Sequence, residues 1–255
     1  MKIILFTKPK EASLECLQYL VGCNDEIVAV VIYRKNDYLN SPFYEYCVSR
    51  HIKIMDDNEI YEYINTHQIS FDILYCYTYP RLIRLELIKL AKKAAVNFHP
   101  APLPDYKGPF CFNFAILNGE KTYGVSAHFL GKGFDKGDII QVDRFTYDCT
   151  KGSLTGLVRL SELHILALFQ EIHSLILSGS PLRAYEQTGG AYYSRKDFEK
   201  AKKIEQTDSR ELINKKIRAF WYPPYEGAYI EIDSQHFTLV NDEIINEINN
   251  AQKYR

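Results

Sequence analysis

The sequence predicts an α/β protein, in which a Rossmann-like, mostly parallel sheet has helices on both faces and a small C-terminal segment forms a β-hairpin. Short apolar runs of strand length alternate with segments of helical periodicity through the first hundred residues. The 255 residues suffice for one full α/β domain with a modest appendage. Near the C-terminus, two alternating apolar runs flank the polar residues Asp233, Ser234 and Gln235, a pattern typical of a hairpin.

Strands and helices are expected in strict alternation in the N-terminal half. The expected strands are residues 3–7, 27–33, 52–55, 71–76 and 95–98, and the expected helices are residues 12–21, 42–50 and 84–94. Such alternation favours parallel strands, and doubly wound sheets bind their ligands at the carboxyl ends of the strands. Asn97 and His99 fall at one of those ends.

The pattern changes after Gly119. Residues 123–130 alternate in polarity and residues 138–145 resemble a further strand, so an antiparallel or mixed pair is expected to complete the sheet. A long helix is expected over residues 153–177, because apolar residues recur there near helical spacing before Gly179 and Pro181. We therefore expect a catalytic domain over residues 1–180. The smaller region over residues 181–255 contains the hairpin, which must pack on its own domain or on a second subunit.

The composition argues against several classes of protein. The net charge is −1 and 46% of the residues are hydrophobic, so neither disorder nor attraction to nucleic acid through bulk charge is expected. The six cysteines show neither CxxC pairing nor zinc-ligand spacing, which predicts reduced core residues. The apolar N-terminal run is too short for a signal sequence, and no later run approaches the ~20 residues of a membrane span. We expect a cytoplasmic enzyme without a membrane partner.

Sequence motifs of several common enzyme classes are missing. No GxGxxG or Walker-type loop follows the first strand, where residues 6–10 read FTKPK. A role with nicotinamide cofactors or ATP therefore loses its main support. No HExxH or GxSxG motif occurs, which argues against the most familiar metalloproteases and esterases.

Asn97, His99 and Asp135 form a candidate catalytic group. His99 alone would more often be structural, and Asp135 alone could form an Asx turn between its neighbouring glycines. In an extended segment, however, Asn97 and His99 point to the same side. An amide and an imidazole can stabilise a developing oxyanion, imidazole can transfer protons near neutral pH, and a carboxylate can orient it. This combination suits acyl transfer to an amine, and it requires neither a metal nor a covalent nucleophile.

A longer set of motifs extends this interpretation. It comprises Asn97-x-His99-Pro100-x-x-Leu103-Pro104-x-Tyr106-x-Gly108, Ala115-Ile116-x-x-Gly119-Glu120, Tyr123-Gly124-Val125-Ser126-x-His128 and Asp135-x-Gly137-Asp138-Ile139-Ile140. The set resembles the formyltransferases that use N10-formyltetrahydrofolate. The resemblance implies a catalytic triad of Asn97, His99 and Asp135. It also implies that two loops hold the folate pteridine largely through backbone groups, namely Cys76, Tyr77, Thr78, Tyr79 and Pro80 in one and Leu130, Gly131, Gly133, Phe134 and Asp138 in the other.

The C-terminal motifs indicate the acceptor. The segments 193–198 and 218–228 resemble those of nucleotide-sugar N-formyltransferases. That resemblance implies formylation of a nucleotide-linked amino dideoxy sugar, such as dTDP-4-amino-4,6-dideoxyglucose or a 3-amino analogue, for surface polysaccharide (O-antigen) synthesis. It also implies a homodimer joined through C-terminal elements. Three alternatives stay open: a methionyl-tRNA formyltransferase, a hydrolase of the formyl donor, and a sugar-nucleotide-binding module without catalysis.

Substrate contacts are expected at further positions. Arg81, Lys107, Arg195 and Lys196 are candidates for the diphosphate, although each on its own is more often a solvated surface charge. Trp221 and Tyr222 could stack on a base, although a single Trp in a small domain is more often a core residue. The remaining expected contacts are Pro102, Gly108, Phe110 and His128, the last either lining the substrate or supporting the residues that do.

Overall fold

The computed structural model describes residues 1–67 and 69–253. Its strands are β1 (Lys2–Thr7), β2 (Glu26–Ile32), β3 (Ile54–Met55), β4 (Phe71–Tyr77), β5 (Ala91–His99), β6 (Tyr106–Lys107), β7 (Thr122–Phe129), β8 (Ile139–Thr146), β9 (Ala191–Tyr192), β10 (Tyr229–Ile232) and β11 (Gln235–Thr238). Its helices are α1 (Glu11–Gly22), α2 (Pro42–Ser49), α3 (Asp57–Thr66), α4 (Leu85–Ile88), α5 (Cys111–Asn118), α6 (Leu154–Leu177), α7 (Arg195–Lys202), α8 (Arg210–Phe220) and α9 (Asp242–Lys253).

Seven strands form one sheet, in the order β3-β2-β1-β4-β5-β7-β8. The first five are parallel to their neighbours, whereas β7 pairs with β5 in the antiparallel sense. The predicted Rossmann-like, mostly parallel sheet is therefore confirmed. The chain order reverses between β1 and β4, and the carboxyl ends of the strands around such a reversal line the usual ligand crevice.

The central strands are buried on both faces, which explains their continuous apolar runs. Aromatic residues fill one side of this core, where the Phe98 ring packs 4.9 Å from Phe169 on α6 and 5.8 Å from Tyr75 on β4. Because Phe98 points into this core, the residues before and after it on β5 point the opposite way. Burial of one aromatic ring thus orients both Asn97 and His99.

The predicted helix over residues 84–94 is wrong over most of its length. Only α4 is helical, and β5 begins at Ala91 rather than at residue 95. The residues between Ala91 and Ala95 are alanines and lysines, which favour helices in isolation. Here Ala91 and Ala94 pair with Phe71 and Ile73 of β4, so the sheet overrides local propensity.

Helix α3 was not predicted, although its start has a clear sequence pattern. The Asp56 carboxylate accepts hydrogen bonds from the backbone N–H groups of Asn58 and Glu59, and the Glu59 carboxylate accepts one from the Asp56 N–H. This capping box satisfies N–H groups that have no partner within the helix. The helix then packs Ile60 and Tyr61 into the core.

A buried polar cluster lies at the amino-terminal end of the parallel strands. The amino group of Met1 lies 2.5 Å from the carboxylate of Asp25, which also lies 2.9 Å from Nε2 of His173. The Nδ1 of His173 lies 2.9 Å from the hydroxyl of Tyr75. Burial lowers the pKa of His173, although the nearby Asp25 carboxylate acts in the opposite direction.

All six cysteines are free thiols, and Cys23 is half-buried rather than in the core. Five of them are buried, and burial raises the pKa of Cys47 and of Cys149 to about 12. Helix α6 is long and apolar enough to cross a membrane, by length and composition only. Core helices of soluble proteins share these properties, and the buried residues of α6 recur at helical spacing.

The chain divides into two compact units. The first unit comprises Met1–Asp105, Gly124–Asp143 and Glu162–Gly190, and the second comprises Tyr106–Tyr123, Arg144–Ser161 and the described residues from 191 onward. The predicted hairpin is present in the second unit, where β10 and β11 pair in the antiparallel sense. Asp233 and Ser234, with φ of 47° and 62°, form its turn. The predicted domain boundary at residue 180 stays a prediction.

Candidate active site

Two parts of the first unit meet at the carboxyl end of β5. Asn97 and His99 are the alternate residues that end the strand, and both are buried. Asp135 lies in the loop that follows β7, where its φ is 51°. This left-handed backbone conformation is uncommon outside glycine, but Asp and Asn adopt it more readily than other residues do.

The structure brings all three predicted catalytic side chains together. Oδ1 of Asp135 lies 3.5 Å from Nδ1 of His99 and accepts a hydrogen bond of 3.3 Å from Nδ2 of Asn97. The exposed fractions of the His99 and Asp135 side chains are only 7% and 10%. Because water screens this contact little, the carboxylate can hold the imidazole ring in one orientation.

His128 holds the side-chain amide of Asn97 in place. In the antiparallel register of β5 and β7 these two residues are directly opposite each other. Nδ1 of His128 lies 2.8 Å from the Phe129 carbonyl oxygen, so this nitrogen carries a hydrogen. Its Nε2 then accepts a 2.8 Å hydrogen bond from the Asn97 amide and lies 3.7 Å from the Asp135 carboxylate. The His128 side chain is only 2% exposed, so it is enclosed by protein atoms, among them the Asn97 amide.

Ser126 holds the Pro-rich loop in place, although its position within a sequence motif predicts no such role. Its hydroxyl donates to the carbonyl of Ala101 at 2.7 Å and accepts from the backbone N–H of Leu103 at 2.9 Å. These two bonds fix the Pro-rich loop that follows His99. Pro102, a predicted substrate contact, is buried within this loop.

The loop that carries Asp135 is closed by a contact that only glycine permits. A Cβ on Gly137 would stand 1.7 Å from the Phe129 carbonyl oxygen. The Phe129 N–H also donates to the Asp138 carbonyl at 3.0 Å, which joins the two ends of the loop. Gln187 contacts the same loop, because its amide nitrogen donates to the carbonyls of Asp135 and Gly137 at 3.0 and 2.5 Å. No local sequence motif pointed to Gln187.

The two loops predicted to hold the folate line a common cavity of about 330 Å³, with Pro80 from one and Phe134 from the other. Cys76 and Tyr77 are buried in the core, so they offer only backbone groups there. Thr78 has a φ of 52°, an unusual value for a β-branched residue, and among the described residues its hydroxyl has no hydrogen-bond partner. The other predicted members of the second loop include exposed Asp138 and Gly133, whose φ is 100°.

Arg81 lines this cavity as well. Its guanidinium lies 2.8 Å from the Asp57 carboxylate and 4.8 Å from the centre of the Tyr33 ring. The side chain is 56% exposed and also borders a neighbouring cavity of about 320 Å³ that Arg34 and Lys35 line. The structure thus associates Arg81 with the two loops predicted to hold the folate.

The remaining predicted substrate contacts belong to the second unit. Within it, Phe110 stacks on Phe198 at 4.1 Å, and the Arg195 guanidinium lies 5.9 Å from the Phe110 ring. The side chain of Arg195 is 80% exposed. Four further predicted contacts are an exposed Lys196, a half-buried Lys107, a half-buried Trp221 at the end of α8, and a buried Gly108 with a φ of 95°.

Tyr222 completes this set of predicted contacts. Its ring is nearly parallel to that of Tyr225, and their centres are 6.2 Å apart. Tyr225 is 61% exposed. Flat aromatic faces of this kind can stack on a nucleotide base.

Comparison with known proteins identifies similar chains. The family model described as formyl transferase matches residues 23–166. GDP-perosamine N-formyltransferase of Brucella melitensis is 28% identical over 235 residues, which cover 90% of this chain and 88% of that protein.

Solved structures share the fold. A 4-N formyltransferase from Francisella tularensis has a TM-score of 0.78 at 18% identity, with 94% of this chain and 96% of that chain covered. The N-formyltransferase from Helicobacter canadensis, in complex with folinic acid and dTDP-3-aminofucose, has a TM-score of 0.73 at 23% identity, with coverages of 95% and 89%.

Proposed function

The chain belongs to the formyl transferase family, and we propose that it transfers a formyl group from N10-formyltetrahydrofolate to the amine of a nucleotide-linked amino dideoxy sugar. The main supporting observation is the meeting of Asn97 and His99 with one oxygen of Asp135, within 3.5 Å of each. These residues supply an amide donor, a proton carrier and an orienting charge. Acyl transfer between nitrogens is accelerated by all three.

His99 moves the protons in this mechanism. The attacking amine loses a proton and the leaving nitrogen gains one, and imidazole suits both transfers because it titrates near neutral pH. Asp135 lies 3.5 Å from the ring and stabilises the imidazolium between these two events. The burial of both side chains strengthens this interaction.

Asn97 stabilises the oxygen on which negative charge develops. One of its amide hydrogens is held by His128 at 2.8 Å, whereas the other spans a longer 3.3 Å to Asp135. The longer bond is the weaker one, so that hydrogen is available to a substrate oxygen. His128 therefore fixes the amide while leaving it one donor for catalysis.

The cavity of about 330 Å³ suits a reduced folate. Pro80, Leu82 and Phe134 provide apolar contacts, and Asn58 provides a polar side chain that can pair with a pteridine edge. Arg81 and Arg84 line the same cavity and can pair with carboxylates of the glutamate moiety. The structural neighbour from Helicobacter canadensis, which contains folinic acid, supports this assignment.

A nucleotide sugar is the proposed acceptor. Phe110, Trp221 and Tyr222 provide aromatic faces for a base, and Arg195 and Lys196 provide cations for a diphosphate. The relatives favour both a GDP and a dTDP carrier, since one is a GDP-perosamine enzyme and another contains dTDP-3-aminofucose. The proposed setting is cytoplasmic synthesis of surface polysaccharide such as O-antigen.

A homodimer joined through the C-terminal region, residues 181–255, completes the proposal. Ile232 and Phe237 on the hairpin β10–β11 are about half exposed, at 52% and 47%. A two-stranded hairpin with such apolar side chains gains stability when a second subunit covers it.

One acceptor assay tests the proposed function. The protein is incubated with N10-formyltetrahydrofolate and, separately, with dTDP- and GDP-linked 3-amino and 4-amino sugars, with initiator methionyl-tRNA, and with no acceptor. Mass spectrometry of the product and the release of tetrahydrofolate are both measured. A formylated sugar nucleotide supports the proposal. Formylated tRNA would instead identify the protein as a methionyl-tRNA formyltransferase. Equal release of tetrahydrofolate with and without an acceptor would identify it as a hydrolase of the formyl donor.

A further inference from the structure

Residues 185–190 form a segment that contacts two loops of the candidate site. At one end of this segment, Tyr185 and Ile139 exchange both backbone hydrogen bonds, at 2.9 and 3.0 Å. At the other end, Gly190 approaches the Pro-rich loop so closely that a Cβ would stand 1.8 Å from the Pro104 carbonyl oxygen. The segment is thereby fixed at both ends to backbone of the first unit.

Gln187 lies between these two anchors and contacts the loop of Asp135. Its amide nitrogen donates to the carbonyl oxygens of Asp135 and Gly137, at 3.0 and 2.5 Å. An amide nitrogen has two hydrogens, so these two bonds use both of them. The nitrogen must face this way, because the amide oxygen in its place would meet two other acceptors.

The two carbonyl groups belong to the most constrained part of the loop. Asp135 has a left-handed backbone, and Gly137 has no space for a side chain on the side of Phe129. Gln187 therefore holds the loop from one direction while the Phe129 carbonyl limits it from another. A shift of this backbone would carry the Asp135 carboxylate away from His99.

The other end of the Gln187 amide is unusual. Its Oε1 is buried and, among the residues that the structure describes, it has no hydrogen-bond donor. A buried acceptor without a donor is unfavourable, whereas an apolar side chain of similar length would avoid that. The donor end of the amide must therefore supply something that an apolar side chain cannot.

We propose that Gln187 is a positioning residue for formyl transfer, which fixes the backbone of residues 135–137 so that Asp135 faces His99 and Asn97. The proposal rests on the proposed function of this site. Because Gln187 contacts main-chain oxygens only through its amide nitrogen, its effect depends on a donor at that atom. Side chains without a donor there fail even when their size is conserved.

Two variants of Gln187 and one control test this dependence. Gln187→Met keeps the length and removes the donor, whereas Gln187→Glu regains an O–H donor only when its carboxyl group is protonated. The control is Gln141→Met, since Gln141 donates to the exposed Glu171 at 2.9 Å. The values of kcat and KM are measured for both substrates across pH 6–9, and hydrogen exchange is measured for residues 130–140.

The expected result separates positioning from folding. Gln187→Met lowers kcat about 10- to 100-fold with KM within about threefold of wild type, because the reacting groups are misplaced rather than lost. The activity of Gln187→Glu relative to wild type rises as the pH falls. Exchange over 130–140 increases in both Gln187 variants, and Gln141→Met matches wild type throughout.

Other results overturn the inference. The inference is wrong if kcat of Gln187→Met stays within twofold of wild type. It is also wrong if activity is lost only because the variants unfold and if the activity of Gln187→Glu does not recover at low pH. If the wild-type protein formylates no acceptor, the proposed function fails. The hydrogen-exchange comparison then still decides whether Gln187 holds the loop.

Discussion

Nδ2 of Asn97 lies 2.8 Å from Nε2 of His128, and the antiparallel pairing of β5 with β7 places these residues directly opposite each other. The Phe129 carbonyl fixes the hydrogen of His128 on Nδ1, so that Nε2 can accept from the amide. The orientation of the proposed oxyanion donor therefore depends on a histidine that is itself only 2% exposed.

Replacement of His128 by Phe should slow transfer without removing any of the three proposed catalytic groups. The Phe ring occupies similar space but leaves the Asn97 amide free to rotate, so kcat should fall about 10- to 100-fold. Steady-state kinetics with the sugar acceptor measure this. His164→Phe is the matched control, because His164 pairs with Asp143 at 2.6 Å and is 32% exposed. An unchanged kcat in His128→Phe would mean that Asn97 needs no such support.

Asp135→Asn should remove most of the formyl transfer while the protein stays folded. Asn keeps the size and tolerates the left-handed backbone, but it cannot stabilise the His99 imidazolium. We expect kcat to fall by about 10²- to 10⁴-fold, the range that general acid–base catalysis contributes, because His99 loses the charge that orients it for proton transfer. His99→Ala should have an effect of similar size. Asp143→Asn serves as control, and activity near wild type in Asp135→Asn would contradict the mechanism.

Gly137→Ala should destabilise the loop severely. Its Cβ would stand 1.7 Å from a carbonyl oxygen of the backbone, which cannot move aside as a flexible side chain would. We expect a loss of at least about 3 kcal/mol in the free energy of unfolding, or a displaced loop without activity. Urea denaturation and kinetics measure both.

Gly22→Ala provides the comparison for that variant. Gly22 ends helix α1, and a Cβ there would have nothing within 4 Å. Ala favours helices over Gly, so this variant should equal or exceed wild type in stability, by up to about 1 kcal/mol. If both substitutions change the free energy of unfolding equally, the close approach of Gly137 to the Phe129 carbonyl does not exclude a side chain.

Stability should fall as the pH drops below about 6.5, the ordinary pKa of histidine. Burial lowers the pKa of His173, so in this range the unfolded chain binds a proton that the folded protein does not. The free energy of unfolding therefore decreases with falling pH until the folded pKa is also passed. The neighbouring groups that act on the ring are Asp25, Tyr75 and the Met1 amino group.

Urea denaturation of the wild type and of His173→Asn between pH 7.5 and 5.5 measures this dependence. The variant should be less stable at pH 7.5 and show a smaller slope of stability against pH. If the free energy of unfolding depends on pH equally in the two proteins, groups other than His173 cause the loss of stability in acid.

Most elements of the sheet could be predicted because their patterns are local. Residues 71–76 are apolar except for Asp72, and this segment is β4 almost to the residue. The start of β5 could not be predicted in the same way, since Ala91, Lys92 and Lys93 favour a helix on their own. Their pairing with β4, about 20 residues earlier in the chain, determines their structure.

In the candidate site, too, the features set by neighbouring residues could be predicted, whereas contacts between residues far apart in sequence were harder to predict. The spacing of Asn97 and His99 on a strand was enough to predict that their side chains share a side. The approach of Asp135 was expected from the chemistry that the three side chains share and from a family resemblance, because 36 residues separate it from His99 and no periodicity relates them. Gln187 stayed unrecognised, since it contacts Asp135 only through the main chain and lies 52 residues away.

The left-handed backbone of Asp135 limits which residues evolution can place there. A residue at this position must tolerate a φ of 51° and must also carry a carboxylate that reaches His99. Glycine and Asn meet only the first requirement, and Glu adds a methylene to a backbone conformation that it adopts less readily. Aspartate is the one standard amino acid that meets both, so the position can lose its function by a single substitution but has no conservative alternative.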